Sequence, residues 1–219
     1  MNTLRMEKEQ NLNTNSGLRI KKLLISSAYM PPVEHLSLIA RADEILIESE
    51  ENYLKQSYRN RCYILSSHGI QSLTVPVYQG SLHKTPLKDI RIDYSKRWQP
   101  VHLGALTAAY SSSPYFLFYF ETIEKILSRK TEFLLDLNSE LLDAMLSMIK
   151  INARVKYTAH FEPVGKAEND YRYSISPKKP ILFPVRDYTH VFNCPGELTG
   201  RLSVMDLIFN MGPEAPRYL

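Results

Sequence analysis

Three stretches of the chain bring proton-transferring or anion-binding side chains close together. Trp98, His102 and Tyr110 are spaced i, i+4 and i+12, so a helix through them carries all three near one face. His102 follows Pro100 by two residues and stands in the first turns of such a helix, where a lowered pKa would suit a general base. Trp98 and Tyr110 would then wall a substrate cleft. The plainer alternative is an imidazole bonded to a main-chain carbonyl between two core aromatics.

The second stretch runs from Asn52 to Arg61. Lys55, Arg59 and Arg61 supply cations, Asn52 and Asn60 supply amides, and Tyr53 and Tyr58 supply rings. Guanidinium forks match phosphate and carboxylate geometry, and planar rings stack on a base or pack on a sugar. The segment lacks the apolar content of a core. It is expected at the surface, as a substrate-binding strip or as a solvated loop with incidental charge.

The third is Tyr29-Met30-Pro31-Pro32, followed by His35. It comes directly after an apolar run, and open α/β sheets bind ligands beyond the carboxyl ends of their strands. Tyr29, Pro32 and His35 are the candidates there. His35 falls in the first turns of a short helix, whose positive end favours an anion and a neutral imidazole. Alternatively the prolines only shape the turn and His35 faces solvent.

Other features carry less. Glu48, Glu50 and Glu51 read as a solvated acidic turn. Cys62 reads as a small buried strand residue, although its position after Arg61 would also suit an activated thiol. Ser176-Pro177-Lys178-Lys179-Pro180 reads as an exposed loop. No HExxH, GxSxG, Walker or GxGxxG pattern occurs. The two cysteines, Cys62 and Cys194, fit no zinc spacing, so no metal site is expected; the residues leave the identity of any cofactor open.

The elements that must position these groups follow from periodicity. Residues 1–19 are polar and read as a disordered arm. Leu23 to Ser26 predicts an interior strand, Leu36, Ile39 and Ala40 a short helix, and Ala42 to Glu48 a second strand. That βαβ unit favours a parallel pair. Cys62–Leu65 and Ser72–Val77 read as two strands turning at His68-Gly69, with Pro76 at an edge or end. Ile90–Asp93 reads as a further strand. Helices are expected from about Pro100 to Tyr110, from Tyr115 to about Leu127, and from Asn138 as N-cap through Ile149. Val155–Phe161 reads as a strand, residues 166–180 as a polar loop, and Leu202–Asn210 as a helix stopped by Gly212-Pro213. The expected architecture is α/β: a mostly parallel or mixed sheet flanked by helices. One domain spans 20–219, with 150–219 an irregular appendage packed on it.

Bulk properties narrow the field. A net charge of +4 permits phosphate-bearing partners without reaching the basic extreme of nucleic-acid binders. With no apolar stretch of membrane-spanning length and no signal-peptide pattern, a cytoplasmic setting with free thiols is expected.

Several of these segments are arranged as in a known family. The opening strand with Tyr29-Met30-Pro31-Pro32, then Asn60-Arg61 ahead of Leu73-Thr74-Val75-Pro76-Val77, then Trp98, His102, Tyr110 and Pro114-Tyr115-Phe116, resembles the WbqC-like protein family. Many members carry a Gln-Pro pair where this chain has Ser27-Ala28. The resemblance covers roughly residues 22–150, with the tail from Leu202 to Pro213 similar to one branch, and it brings Thr74 into the candidate substrate-binding set. It implies a role in bacterial surface polysaccharide (O-antigen type) biosynthesis, and a glycine-like aminoacyl transfer has been suggested for members.

Three functions are consistent with the residues. One is transfer of an acyl or aminoacyl group to an amino sugar carried on a nucleotide, with His102 or His35 as base. A second is a non-catalytic sugar-nucleotide or anion-binding protein of the same pathway. The third is a nucleotidyltransferase-like enzyme, against which stands the lone histidine between Pro31 and Leu38. The expected partner is a small molecule or sugar nucleotide.

Overall fold

A computed structural model of the chain describes residues 19–78, 84–183 and 185–219. The arm expected over 1–19 lies outside the described residues apart from Arg19, whose Nε reaches Asp43 Oδ1 at 2.6 Å.

The architecture is mixed α/β, as the patterning requires. Strand β1 (Ile20–Ser26), helix α1 (Val33–Ala40) and strand β2 (Ala42–Glu48) form the βαβ unit. β1 and β2 pair in parallel, with Leu24 opposite Leu46 and Ser26 opposite Glu48. Strand β5 (Arg154–Tyr157) adds to the far side of β2, also in parallel. On the free side of β1, Leu24 N donates to Asn169 O and accepts at its carbonyl from Tyr171 N, so a loop strand completes that edge. Side chains alternate across the sheet. Leu23, Ile25, Ile45 and Ile47 enter the core, and the opposite face carries Lys22, Leu24, Ser26, Glu44, Leu46 and Glu48.

Strands β3 (Arg61–Ser66) and β4 (Gly69–Thr74) form an antiparallel hairpin separate from that sheet. It turns one residue earlier than expected, at Ser67-His68. Ile90–Asp93 is not a strand. Ile92 and Arg91 make only isolated bridges to Val77 and Phe133, after a 3-10 turn at Leu87–Asp89.

Helices α2 (Trp98–Tyr110), α3 (Phe116–Ser128) and α4 (Leu134–Met148) follow in order. α4 starts a turn before the expected Asn138 cap. Phe133 precedes it, and Asn138 lies inside, 2 % exposed on the apolar face with Leu134, Leu141 and Met145. Burial of that stripe against the core decides the helix start, overriding the local capping preference of Asn.

The C-terminal stretch is irregular until helix α5 (Val204–Met211), seven of whose eight residues are buried. Ser203 Oγ caps it by accepting from Met205 N. The preceding turn is pinned by Val33 N to Leu202 O, Ser203 N to Tyr63 O and Val204 N to Pro31 O. The tail thus holds together the hairpin and the loop after β1. Beyond Gly212 the chain continues as a 3-10 turn to Tyr218. No helix among the described residues is long and apolar enough to cross a membrane.

Candidate functional site

The carboxyl end of β1 opens into a small cleft of about 220 Å³, solvent included, lined by Ser26, Ser27, Ala28, His35, Arg59 and Arg172 among others. Each arrives from a different element: the serines from β1 and its loop, His35 from α1, Arg59 from the segment before β3, and Arg172 from the long loop after β5. The cleft lies beyond the carboxyl end of a parallel strand, the position that open α/β sheets use for ligands.

Arg59 is held from behind. Its Nε and Nη2 donate to Glu51 Oε1 and Oε2 at 2.8 and 2.5 Å, and Nη2 also donates to Ser26 Oγ at 2.8 Å. Nη1 has no hydrogen-bond acceptor among the described residues. Fixing two edges of a guanidinium while leaving the third free pre-organises it for an anion. Tyr173 lies against both guanidinium groups, 5.7 Å from Arg59 and 5.8 Å from Arg172.

Arg172 is spent on structure. It donates from Nε and Nη2 to Asp170, and from Nη1 to Glu48 Oε2 at 2.7 Å and to Glu162 O. Glu48, fully buried, also accepts from Thr158 Oγ1, Glu50 N and Glu162 N. The expectation of a solvated acidic turn fails at two of its three glutamates. Glu48 and Glu51 are both 0 % exposed, and each is neutralised by an arginine from another part of the chain.

His35 is buried beside Arg59. Burial first, and the Arg59 charge second, pull its pKa down to about 3. The ring is therefore neutral, with a lone pair available in the cleft. Asn138 buttresses the site by donating to Ser27 Oγ at 3.0 Å and Arg59 O at 2.8 Å, while its own Oδ1 stays buried and unpartnered.

The other expected residues fall into a second, closed cluster. Tyr29 Oη and His102 Nδ1 are 2.8 Å apart, and Trp98 packs edge-on against the His102 ring. The main chain of Thr74 hydrogen-bonds His102, and Arg61 Nε donates to Thr74 Oγ1 at 3.0 Å. Tyr29, Thr74, Arg61 and His102 thus form a continuous set of contacts. However, Tyr29 is 0 % and His102 3 % exposed, so neither ring opens to solvent. Burial lowers the His102 pKa to about 4, partly opposed by the Thr74 bond. Tyr110 serves elsewhere: it accepts from Leu65 N and donates to the buried carboxylate of Asp206.

The segment from Asn52 to Arg61 divides. Asn52 and Lys55 are exposed, whereas Tyr53, Tyr58, Arg59 and Asn60 are buried. Its low apolar content suggested a surface strip, but ion pairing and main-chain bonds compensate the buried polar groups. Asn60 Nδ2 donates to Val75 O at 2.8 Å. Pro32 is buried at the start of α1, bridging to Ser203. Cys62 is 1 % exposed and burial raises its pKa, which fits an inert strand thiol.

Ser26, Ser27, Glu51, Asn138 and Arg172 are not among the site residues expected from the sequence, where Glu51 reads as solvated and Asn138 as an N-cap. Asn138 did carry a signal, as an amide within the apolar stripe of α4. Arg172 carried none, since its partners lie more than a hundred residues away or in the same polar loop. Glu51 is only eight residues from Arg59, but a carboxylate among Glu48, Glu50 and Glu51 has nothing local to mark it as the buried one.

Comparison with known proteins places this geometry in context. The chain is 29 % identical to an uncharacterized protein of Mycobacterium tuberculosis, Rv1507c, across 91 % of this chain and 97 % of that protein. No solved structure matches. The model of the WbqC-like protein family matches residues 26–178, which include β1's end, Arg59, Asn138 and Arg172, and this chain belongs to that family.

Proposed function

We propose that this protein transfers an acyl or aminoacyl, glycine-like group to the amine of an amino sugar carried on a nucleotide, within surface-polysaccharide biosynthesis. The observation that supports this reading is the shared cleft of His35 and Arg59: a neutral imidazole and a fixed, partly free guanidinium beyond the end of a parallel strand. The family resemblance supplies the setting.

The chemistry suits the pair. The sugar amine attacks the carbonyl carbon of an activated ester or thioester donor. A C–N bond forms, the carbonyl oxygen takes negative charge, and the bond to the donor carrier then breaks. Arg59 Nη1 faces that developing charge. His35 takes the amine proton and returns it to the departing oxygen or sulfur. The oxyanion offsets the Arg59 charge, the smaller cause of the depression of His35; burial, the larger one, is relieved only as polar substrate groups enter the cleft. His35 and Arg59 are 5 % and 3 % exposed, so the cleft has to widen at its mouth for the reacting groups to enter, and the rest of both substrates lies outside it.

The test is turnover of amino sugar nucleotides with acyl and aminoacyl thioester or ester donors. His35→Gln should cut turnover by roughly 10²–10⁴-fold, the usual share of a general base, while binding persists. Turnover unchanged by this substitution sinks the assignment. The burial of both candidate bases, His35 at 5 % and His102 at 3 % exposed, favours a second reading, a protein that binds such a substrate without reacting it. In that case Arg59→Ala weakens binding and no donor is consumed.

A further inference from the structure

The outer face of the parallel sheet carries a larger groove of about 730 Å³, solvent at its mouth included. Its floor is Leu24 and Leu46, register partners on adjacent strands. The loop from Glu162 to Asn169 forms the opposite side. Lys21, Lys22 and Lys166 stand at the rim and form no ion pair among the described residues. Glu162 and Glu168 share that rim, which keeps a net positive charge.

The groove and the cleft described above are neighbours. Leu24 and Ser26 are two residues apart on one face of β1, as are Leu46 and Glu48 on β2, a separation of roughly 6–7 Å along each strand. Between them stands the buried ion network. Glu162 N donates to Glu48 Oε2 at 3.1 Å, and Arg172 Nη1 donates to Glu162 O at 2.7 Å. Glu162 thus lines the groove, while Arg172, bonded to it, lines the cleft.

We infer that this groove is a binding site for a nucleoside diphosphate, its base on the Leu24–Leu46 floor and its phosphates among Lys22, Lys166 and Lys21. Leu24 is nearly buried and Leu46 partly so, which leaves Leu46 as the main apolar surface for a base, and ammonium groups outside any salt bridge suit a diphosphate. Carboxylates at the same rim accept hydrogen bonds from ribose hydroxyls and disfavour a bare anion. The proposal stands apart from the transferase reading: Lys22, Leu24 and Ser26 follow in that order on β1, so phosphates at Lys22 lie on the side of the base away from the cleft of His35.

The experiment is calorimetric titration of the full chain with UDP, ADP and GDP, and separately with uridine and inorganic diphosphate, at two salt concentrations. At least one nucleoside diphosphate should bind at least tenfold more tightly than inorganic diphosphate or uridine, and more weakly at high salt. The double variant Lys22→Gln, Lys166→Gln should weaken that binding by tenfold or more, with the melting temperature little changed because both side chains are exposed and no like-charge pair with Glu44 is created. His35→Gln should leave it unaltered. No binding of any nucleotide, equal binding of inorganic diphosphate, or affinity indifferent to the lysine variant overturns the proposal. Nucleotide binding at the lysines with no turnover from any donor keeps the groove and removes only the transferase reading.

Discussion

The Arg59 guanidinium and the Glu51 carboxylate meet edge to edge, at 2.8 and 2.5 Å, with side chains 4 % and 0 % exposed. Eight residues apart in sequence, they close the turn before β3 onto the end of β1. Removing one member of such a pair strands a buried charge. Glu51→Ala and Arg59→Ala should each lower unfolding free energy by about 3–5 kcal/mol. Glu51→Leu with Arg59→Met should cost far less than the sum of the two. Denaturant titration of the four proteins measures the cycle, and additive losses would show that the pair does not act as a unit.

The sequence made the fold class and the βαβ unit legible because both rest on short-range periodicity. Lys22–Ser26 and Ala42–Glu48 show it as apolar runs, and α1 shows it at i, i+3, i+4. The site was only half legible. His35 and Arg59 were readable from type and position. Their supports were not, because Glu48 and Arg172 find each other across 124 residues. His102 was misleading for the opposite reason. Its helical spacing to Trp98 marks a buried aromatic contact as readily as a cleft wall, and the structure has the contact.

Stability should fall in acid in a way that isolates the buried histidines. His35 and His102 are depressed from 6.5, to about 3 and about 4, chiefly by burial. Below 6.5 the unfolded chain takes up protons that the folded one refuses. Stability from these rings is therefore complete above pH 6.5 and drains as pH falls towards those lower values. Each contributes a slope of about 1.4 kcal/mol per pH unit inside its window. His35→Gln should flatten the loss between pH 6.5 and 4, read by urea unfolding. An unchanged slope would mean that His35 protonates alike in both states.

Two glycines should respond in opposite directions to alanine. Gly212 ends α5 at φ +51°, and an added Cβ would lie 2.4 Å from Tyr115 Cδ1, a ring atom. Gly212→Ala therefore combines backbone strain with a clash and should cost about 2–4 kcal/mol. Gly104 sits on the exposed side of α2, where an added methyl would meet nothing within 4 Å. Gly104→Ala should stabilise by about 0.5–1 kcal/mol through helix propensity. Thermal unfolding of both variants decides the signs, and a neutral Gly212→Ala would mean that the α5 end adjusts freely.

The last prediction concerns Asp206, a fully buried carboxylate on α5. It accepts from Tyr110 Oη at 2.8 Å through Oδ2, and from Tyr188 Oη at 2.9 Å and His190 Nδ1 at 2.7 Å through Oδ1. Tyr110 Oη in turn accepts from Leu65 N at 3.1 Å, so the carboxylate links the hairpin, α2 and the irregular C-terminal stretch. Asp206→Asn keeps the shape but replaces one acceptor with an amide donor that faces another donor. It should cost about 2–4 kcal/mol, the range for losing charged hydrogen bonds in the interior. Tyr188→Phe removes one donor and leaves the carboxylate two strong partners, so it should cost about 1 kcal/mol. Because Tyr188 and His190 belong to the stretch before α5, Asp206→Asn should also hasten proteolytic cutting between residues 185 and 203 ahead of the parallel sheet. Equal denaturation midpoints for Asp206→Asn and the parent chain would show that the tail is held by the burial of α5 alone.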